Sequence, residues 1–278
     1  RCTQRFVLGG RDAVLEALLG HVRGSGDNGY ICLTGAPGSG KSAMLAHLSA
    51  HPILDGDPAV LVLRHFTGAS PASTDVRRTL RRLCHTITSM CPGIAADVPD
   101  EPERLRLVFQ DFLRQASATH RVVILLDGVN QLDARSPFSS FHWLPAELPP
   151  NVRVVLSTPA GAAMDDLRRT LGPRLIELEP LTSDDAEAIV TRFCERYRKK
   201  LEPEQRSALL AKTDAGTPLY LLAALEELRT LGAREEITRR IAELPPTTDA
   251  LFAWILRRLE DDDGFRDAAG RRVGQALV

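Results

Sequence analysis

The chain has 278 residues, of which 44% are apolar, with 35 Lys plus Arg set against 36 Asp plus Glu. That length suits one large or two modest domains and buries a substantial core without disulfide or metal staples. The balanced charge provides no global field for nucleic acid or an anionic membrane, and no apolar run approaches the ~18 residues of a membrane span.

Taken in chain order, apolar runs of strand length alternate with segments of helical period. The runs are "YICLT" (30–34), "AVLVLRHF" (59–66), "RVVILLD" (121–127), "VRVVLS" (152–157) and "RLIELE" (174–179). Near-continuous apolar strands suit a parallel sheet buried on both faces. Helices are predicted over about 41–50, 74–90, 103–117 and 162–171. Ser73 or Thr74 in "SPASTD" is the expected N-cap of the second. After Pro180 no strand-like run occurs. "LTSDDAEAIVTRFCERYRKK" opens on the capping-box spacing Thr182 to Asp185. Further helices are predicted over about 203–212, 217–231, 233–243 and 247–260. The expected organisation is an α/β domain over 1–180 and an all-helical domain over 181–278. Cys2, Cys32, Cys84, Cys91 and Cys194 form no CxxC pair and no Cys/His metal spacing, as expected of reduced thiols in a cytoplasmic protein. The chain starts at Arg1 and ends inside the helical pattern "RRVGQALV", and so reads as a piece of a longer protein.

"GAPGSGKS" (35–42) fits G-x-x-x-x-G-K-[ST] at every fixed position and lies between a predicted strand and a predicted helix. Its glycines let the loop turn N–H groups inward as an anion nest, and the following helix points its positive end at the phosphates. The phosphate-binding stretch is therefore Gly35, Ala36, Pro37, Gly38, Ser39, Gly40, Lys41, Ser42 and Ala43. Lys41 is expected on the β/γ-phosphates and Ser42 on Mg²⁺. Asp127 closes a buried strand and supplies the acidic Mg²⁺ partner such a loop requires.

Five stretches together resemble the STAND signalling ATPases, in the NACHT and telomerase-associated-protein-like branch of the AAA+ superfamily. "FVLGGRDAVLEAL" (6–18) resembles the segment that precedes the phosphate loop, and "GAPGSGKS" the Walker A motif. "RHFTGASPASTD" (64–75) is similar to the stretch after the second strand, and "VILLDGVNQL" (123–132) to the Walker B motif. "DAGTPLYLLAALEELR" (214–229) resembles the lid helix with its GxP motif. The resemblance implies a five-stranded parallel sheet of order 5-1-4-3-2 followed by a small helical lid, with a winged helix beyond Val278. It implies ATP or ADP with Mg²⁺ as cofactors. Gly10 and Arg11 would cradle the adenine, Ser157 or Thr158 would face the γ-phosphate, and Pro218 would couple the lid to the nucleotide. The implied function is an ATP/ADP-binding switch whose sensor and effector domains lie outside this chain, with homo-oligomers forming on activation.

The chain departs from the family at two places. Many relatives carry an arginine after the fourth strand, where this chain reads "LSTPAG" and offers no arginine as γ-phosphate sensor. The second departure matters more. Relatives carry an acidic pair three and four residues after the Mg²⁺ aspartate; this chain has Asn130 and Gln131. Neither amide accepts a proton from water, and glutamine at most orients it. Slow hydrolysis is therefore expected. Asn130-Gln131-Leu132-Asp133 also lacks the lysine of the guanine-reading N-K-x-D motif. The alternative reading is a hydrolytically active AAA+ remodelling or initiator-type ATPase, with Arg168, Arg169 or Arg174 as arginine finger. The basic stretch "RRTLRR" (77–82) interleaves with apolar residues as an amphipathic helix does, so nucleic acid is not an expected partner.

Overall fold

The computed structural model describes residues 10–24, 29–70, 72–94, 97–133 and 141–261. They fall into two compact units, divided between Glu179 and Pro180.

The first unit runs α1 (Asp12–Val22), β1 (Tyr30–Thr34), α2 (Lys41–Ser49), α3 (Pro52–Asp55), β2 (Val60–Phe66), α4 (Val76–Met90), α5 (Pro102–Ala116), β3 (Arg121–Asp127), β4 (Val152–Ser157), α6 (Ala162–Leu171) and β5 (Arg174–Glu177). Its five strands are parallel, in the order β2-β3-β4-β1-β5. From the other edge this is 5-1-4-3-2, the order the resemblance implies. Both faces of the sheet are covered, which is why its inner strands are apolar at nearly every position. Cys32, Ile124, Leu126 and Leu156 pack with residues of α4, α5 and α6. Their sequence neighbours Leu33, Val123, Leu125 and Val155 pack with α1 and α2. All strands therefore end, at their carboxyl termini, on one edge of the sheet, and that edge carries the candidate site.

The N-cap expectation needs correction. Helix α4 is capped by Asp75, whose carboxylate accepts the Arg78 N–H at 3.1 Å, and not by Ser73 or Thr74. Ser73 is committed to the preceding turn. Its hydroxyl accepts the Gly68 N–H at 2.8 Å and donates to the Ser70 carbonyl at 2.6 Å. The Thr74 carbonyl accepts the Asp133 N–H at 2.9 Å, a long-range contact that draws Thr74 out of the cap.

The second unit contains α7 (Ser183–Tyr197), α8 (Pro203–Leu210), α9 (Pro218–Arg229), α10 (Arg234–Glu243) and α11 (Thr248–Asp261). The capping box of α7 is present: Thr182 Oγ1 accepts the Asp185 N–H at 3.2 Å, and Asp185 Oδ2 accepts the Thr182 N–H at 3.3 Å. Helix α9 buries Tyr220, Leu221, Ala224 and Leu225, and the Tyr220 hydroxyl donates to the Pro245 carbonyl at 2.7 Å. Among the described residues, no helix is long and apolar enough to cross a membrane.

Two buried histidines couple this fold to pH. His21 Nε2 donates to the Val154 carbonyl at 3.3 Å, and burial, the largest cause, lowers its pKa, aided by Arg153 and Arg174. His65 Nε2 donates to the Ser73 carbonyl at 2.8 Å, and burial followed by Arg82 lowers its pKa likewise. The unfolded chain therefore binds protons that the folded chain refuses, and stability is lost as pH falls below about 6.5. Urea titrations from pH 7.5 to 5 should show a falling midpoint, with a shallower fall in His21→Gln. In the same assay at neutral pH, Asp75→Ala should cost about 1 kcal/mol, while Thr74→Ala should leave the midpoint near wild type.

Candidate nucleotide-binding site

Residues Gly35 to Gly40 carry the chain from β1 into α2. Gly35 has φ +142°, and a Cβ there would stand 2.8 Å from the Leu178 carbonyl oxygen and 3.0 Å from Ser39 Oγ. Only glycine satisfies both the dihedral and the space. At the other end Gly40 has φ +97° and leads into α2, whose N-terminus has no side-chain cap and no acidic residue in its first turn. A helix cannot bond its own first-turn N–H groups. Those of Lys41, Ser42 and Ala43 thus have no side-chain acceptor and present the positive end of the helix dipole.

Arg11, buried just before α1, braces this loop. Its guanidinium donates to the Ser39 carbonyl at 2.5 Å and to the Glu179 carbonyl at 3.0 Å. One side chain thereby ties the phosphate loop to the segment after β5. Gly10, beside it, is exposed with φ +66°. Lys41 Nζ donates to the carbonyls of Gly35 at 2.7 Å and Ala36 at 2.8 Å, which hold the ammonium over the loop. Burial lowers its pKa, and the negative charge of Asp127 opposes that shift.

Asp127 ends β3 and is 5% exposed. Its Oδ1 accepts a hydrogen bond from Ser157, the last residue of β4. The same Ser157 oxygen accepts the Gly128 N–H at 2.9 Å. Ser157 therefore pins one carboxylate oxygen of Asp127 in place. The neighbouring Thr158 hydroxyl donates to the Pro159 carbonyl at 3.1 Å. Asn130 and Gln131 lie exposed in the 3-10 turn Val129–Gln131. Gln131 rests over two glycines: a Cβ on Gly68 would come within 2.9 Å of its Oε1, and one on Gly128 within 3.4 Å of its Nε2. Gly68, in the loop after β2, and the bracing role of Arg11 are features that sequence reasoning missed. No local pattern announces either, because both partners are remote in sequence.

The structure thus gathers the phosphate loop, Lys41, Asp127, Ser157 and Gln131 at the carboxyl ends of β1, β3 and β4. Pro218 lies in the second unit as the first residue of α9. The turn before it is anchored within that unit. The Gly216 carbonyl accepts the Leu181 N–H at 2.8 Å, and the Asp214 carboxylate accepts from Thr248 N–H at 2.7 Å and Oγ1 at 2.8 Å. A polyphosphate fits the uncapped first turn of α2, the glycine cradle and Lys41. The hydroxyl of Ser42 and the carboxylate of Asp127 are hard oxygen donors of the kind that suit Mg²⁺ alongside phosphate oxygens.

The sequence profile of the AAA ATPase domain matches residues 7–156. This chain belongs to the AAA ATPase domain family. Its relatives include NACHT-type proteins. The chain is 32% identical over 209 residues to NACHT domain- and WD repeat-containing protein 1 of Homo sapiens, covering 72% of this chain and 13% of that protein. It is 30% identical over 247 residues to telomerase protein component 1 of Mus musculus, covering 84% of this chain and 9% of that protein. The chain therefore spans only about a tenth of the length of these relatives. Among solved structures, AMPPCP-bound DnaA from Aquifex aeolicus aligns with TM-score 0.51 at 14% identity, covering 98% of this chain and 74% of that one. This is a likeness of fold.

The Ser157 bridge yields a direct test. Ser157→Ala strips the buried Asp127 oxygen of its donor and the Gly128 N–H of its acceptor. It should lower stability by about 1–3 kcal/mol, measured as a shift of the urea midpoint. An unchanged midpoint would show that the bridge carries no weight.

Proposed function

We propose that this chain is the ATP/ADP-binding core of a signalling switch in a larger protein, and that it holds nucleotide far longer than it turns it over. One observation carries the reading: the turn after Asp127 offers glycine, Asn130 and Gln131 where hydrolysis needs a carboxylate. Asp127 itself is hydrogen-bonded to Ser157 and, with Ser42, is assigned to Mg²⁺. That leaves the Gln131 carboxamide, propped against Gly68 and Gly128, to orient a water without taking its proton.

Bound ATP supplies the phosphoanhydride and its γ-phosphoryl group. The residues of the chain do the rest. Gly35, Ala36, Pro37, Gly38, Ser39 and Gly40 wrap the phosphates, and the first-turn N–H groups of Lys41, Ser42 and Ala43 donate to their oxygens. The Lys41 ammonium takes the β/γ-oxygens. Ser157 keeps Asp127 oriented, and through it senses the γ-phosphate end of the site. Gly10 and Arg11 lie on the base side, where Arg11 couples the loop to Glu179. Pro218, which opens α9 in the helical unit, is the residue the family resemblance assigns to coupling that unit to nucleotide state. Nucleotide state then biases an open or closed conformation and the tendency to form homo-oligomers. The WD repeats named in the NACHT relative support placing the sensor domain outside this chain. The setting is cytoplasmic.

Steady-state phosphate release distinguishes this reading from a working AAA+ remodelling or initiator-type ATPase. Wild type should turn over slowly, and Lys41→Ala should lose most ATP affinity in calorimetry. Asn130→Asp with Gln131→Glu should raise turnover by up to ~10²-fold, the scale of a general base. Wild-type turnover of several per second, abolished in Lys41→Ala, would overturn the holding reading. A rate climbing steeply with protein concentration would favour a ring with an arginine finger in trans.

A further inference from the structure

A cavity of ≈310 Å³ opens beside β2, between the loop that follows it and the first turns of α4. It shares no lining residue with the phosphate loop, Asp127, Ser157 or Gln131. Among the described strands β2 pairs only with β3, so its other edge is free, and the cavity sits along that edge. Among the described residues, Arg64, Arg78 and Arg82 are its ionised lining groups and no carboxylate lines it.

The three guanidinium groups differ in what already satisfies them. Arg64 pairs with Asp55 at 2.9 Å on the far side of the strand. Arg78 has Asp75 at 3.6 Å, an exposed contact of small worth. Among the described residues, the partners of Arg82 are neutral. Its Nη2 donates to the Arg64 carbonyl at 2.7 Å and approaches His65 Nδ1 at 3.2 Å. His65 is uncharged in this arrangement, because Nε2 carries the proton given to the Ser73 carbonyl and Nδ1 must therefore accept from Arg82. Burial weakens the hold of Arg82 on its proton, and no negative group opposes the shift. Arg82 is an exposed residue whose guanidinium meets a carbonyl and a neutral imidazole, so its positive charge remains available to an incoming anion.

We propose that this cavity is a binding site for a phosphomonoester group, held by Arg82 and Arg78 at the start of α4 and by the Ser70 hydroxyl of the facing loop. The planar fork of arginine matches two oxygens of a phosphate. The first turn of α4 adds its partial positive charge, of which Asp75 takes one N–H. Ala69 and Ala72 add small apolar groups to the lining, which suits a short stem carrying one anionic group. An extended polyanion would need a row of charges on an open face. The site therefore fits a phosphorylated side chain or a small phosphomonoester, and it gives the switch a second phosphate-sensing point away from the nucleotide.

The test uses the full chain carrying Lys41→Ala, so that the phosphate loop does not compete. Calorimetry at constant ionic strength would compare O-phosphoserine, inorganic phosphate, a phosphoserine peptide and its unphosphorylated twin. Saturable binding of the phosphorylated probes, absent for the twin, is expected. Adding Arg82→Gln should weaken it at least about tenfold, the scale of a lost charged hydrogen bond. Tighter binding of the peptide than of free O-phosphoserine identifies a protein partner, and equal binding a small-molecule ligand. Because Arg82 also caps the edge of β2, circular dichroism would check folding. Should Arg82→Gln unfold, Arg78→Gln decides alone, and it too should weaken binding. Affinity unchanged in the variants, no discrimination between the peptide and its twin, or tighter Arg82-dependent binding of a single-stranded oligonucleotide would overturn the proposal.

Discussion

At Gly35 the backbone leaves β1 and passes so close to the carbonyl of Leu178 that a Cβ would stand 2.8 Å away. The phosphate loop depends on that approach. It sets where the loop begins, and the Gly40 turn sets where α2 starts. Between them Arg11 locks the Ser39 carbonyl to the Glu179 carbonyl. The loop is thus gripped from the β5 side of the sheet by packing and by one buried guanidinium. A nest for phosphate needs its N–H groups aimed before the ligand arrives, and these contacts supply that order at no cost on binding.

The opposite wall of the site is built on a second short-range constraint. The strand order puts β4 between β1 and β3, so Ser157 stands beside Asp127 although 30 residues separate them. One hydroxyl then serves both Asp127 and the Gly128 N–H. One oxygen of the carboxylate is thereby held in a fixed orientation. Of the amides that follow it, Gln131 lies beside Gly68 and Gly128, where a Cβ on Gly68 would crowd its carboxamide. Binding is provided for in detail, and proton abstraction is not. This asymmetry is what supports the proposed switch over a motor.

Beside β2, the same economy of space yields a different electrostatic outcome. Arg82 caps a carbonyl on an otherwise open strand edge, a device that discourages another strand from pairing there. In doing so it places its charge beside Arg64 and Arg78 in the same cavity, with neutral groups as its own hydrogen-bond partners. A structural duty and a capacity for an anion coexist in one side chain.

Much was legible in the sequence alone. The five apolar runs became five strands, because a sheet buried on both faces demands continuous apolar residues whatever the details of packing. The phosphate loop, Asp127 and the absent acidic pair were equally plain, since each is written in a few consecutive residues. The capping box of α7 was legible for the same reason, its two members lying three residues apart. Tertiary structure decided everything that joins distant residues. It moved the α4 cap from Ser73 or Thr74 to Asp75, because Ser73 was needed by Gly68 and the Thr74 carbonyl by Asp133. It assigned Arg11 to the loop backbone, Ser157 to Asp127, Gln131 to Gly68 and Arg82 to the edge of β2. Local propensity and periodicity record what a residue does within its own turn of chain. Which hydroxyl meets which carboxylate depends on strand order and register, and those are settled only when the whole sheet is buried.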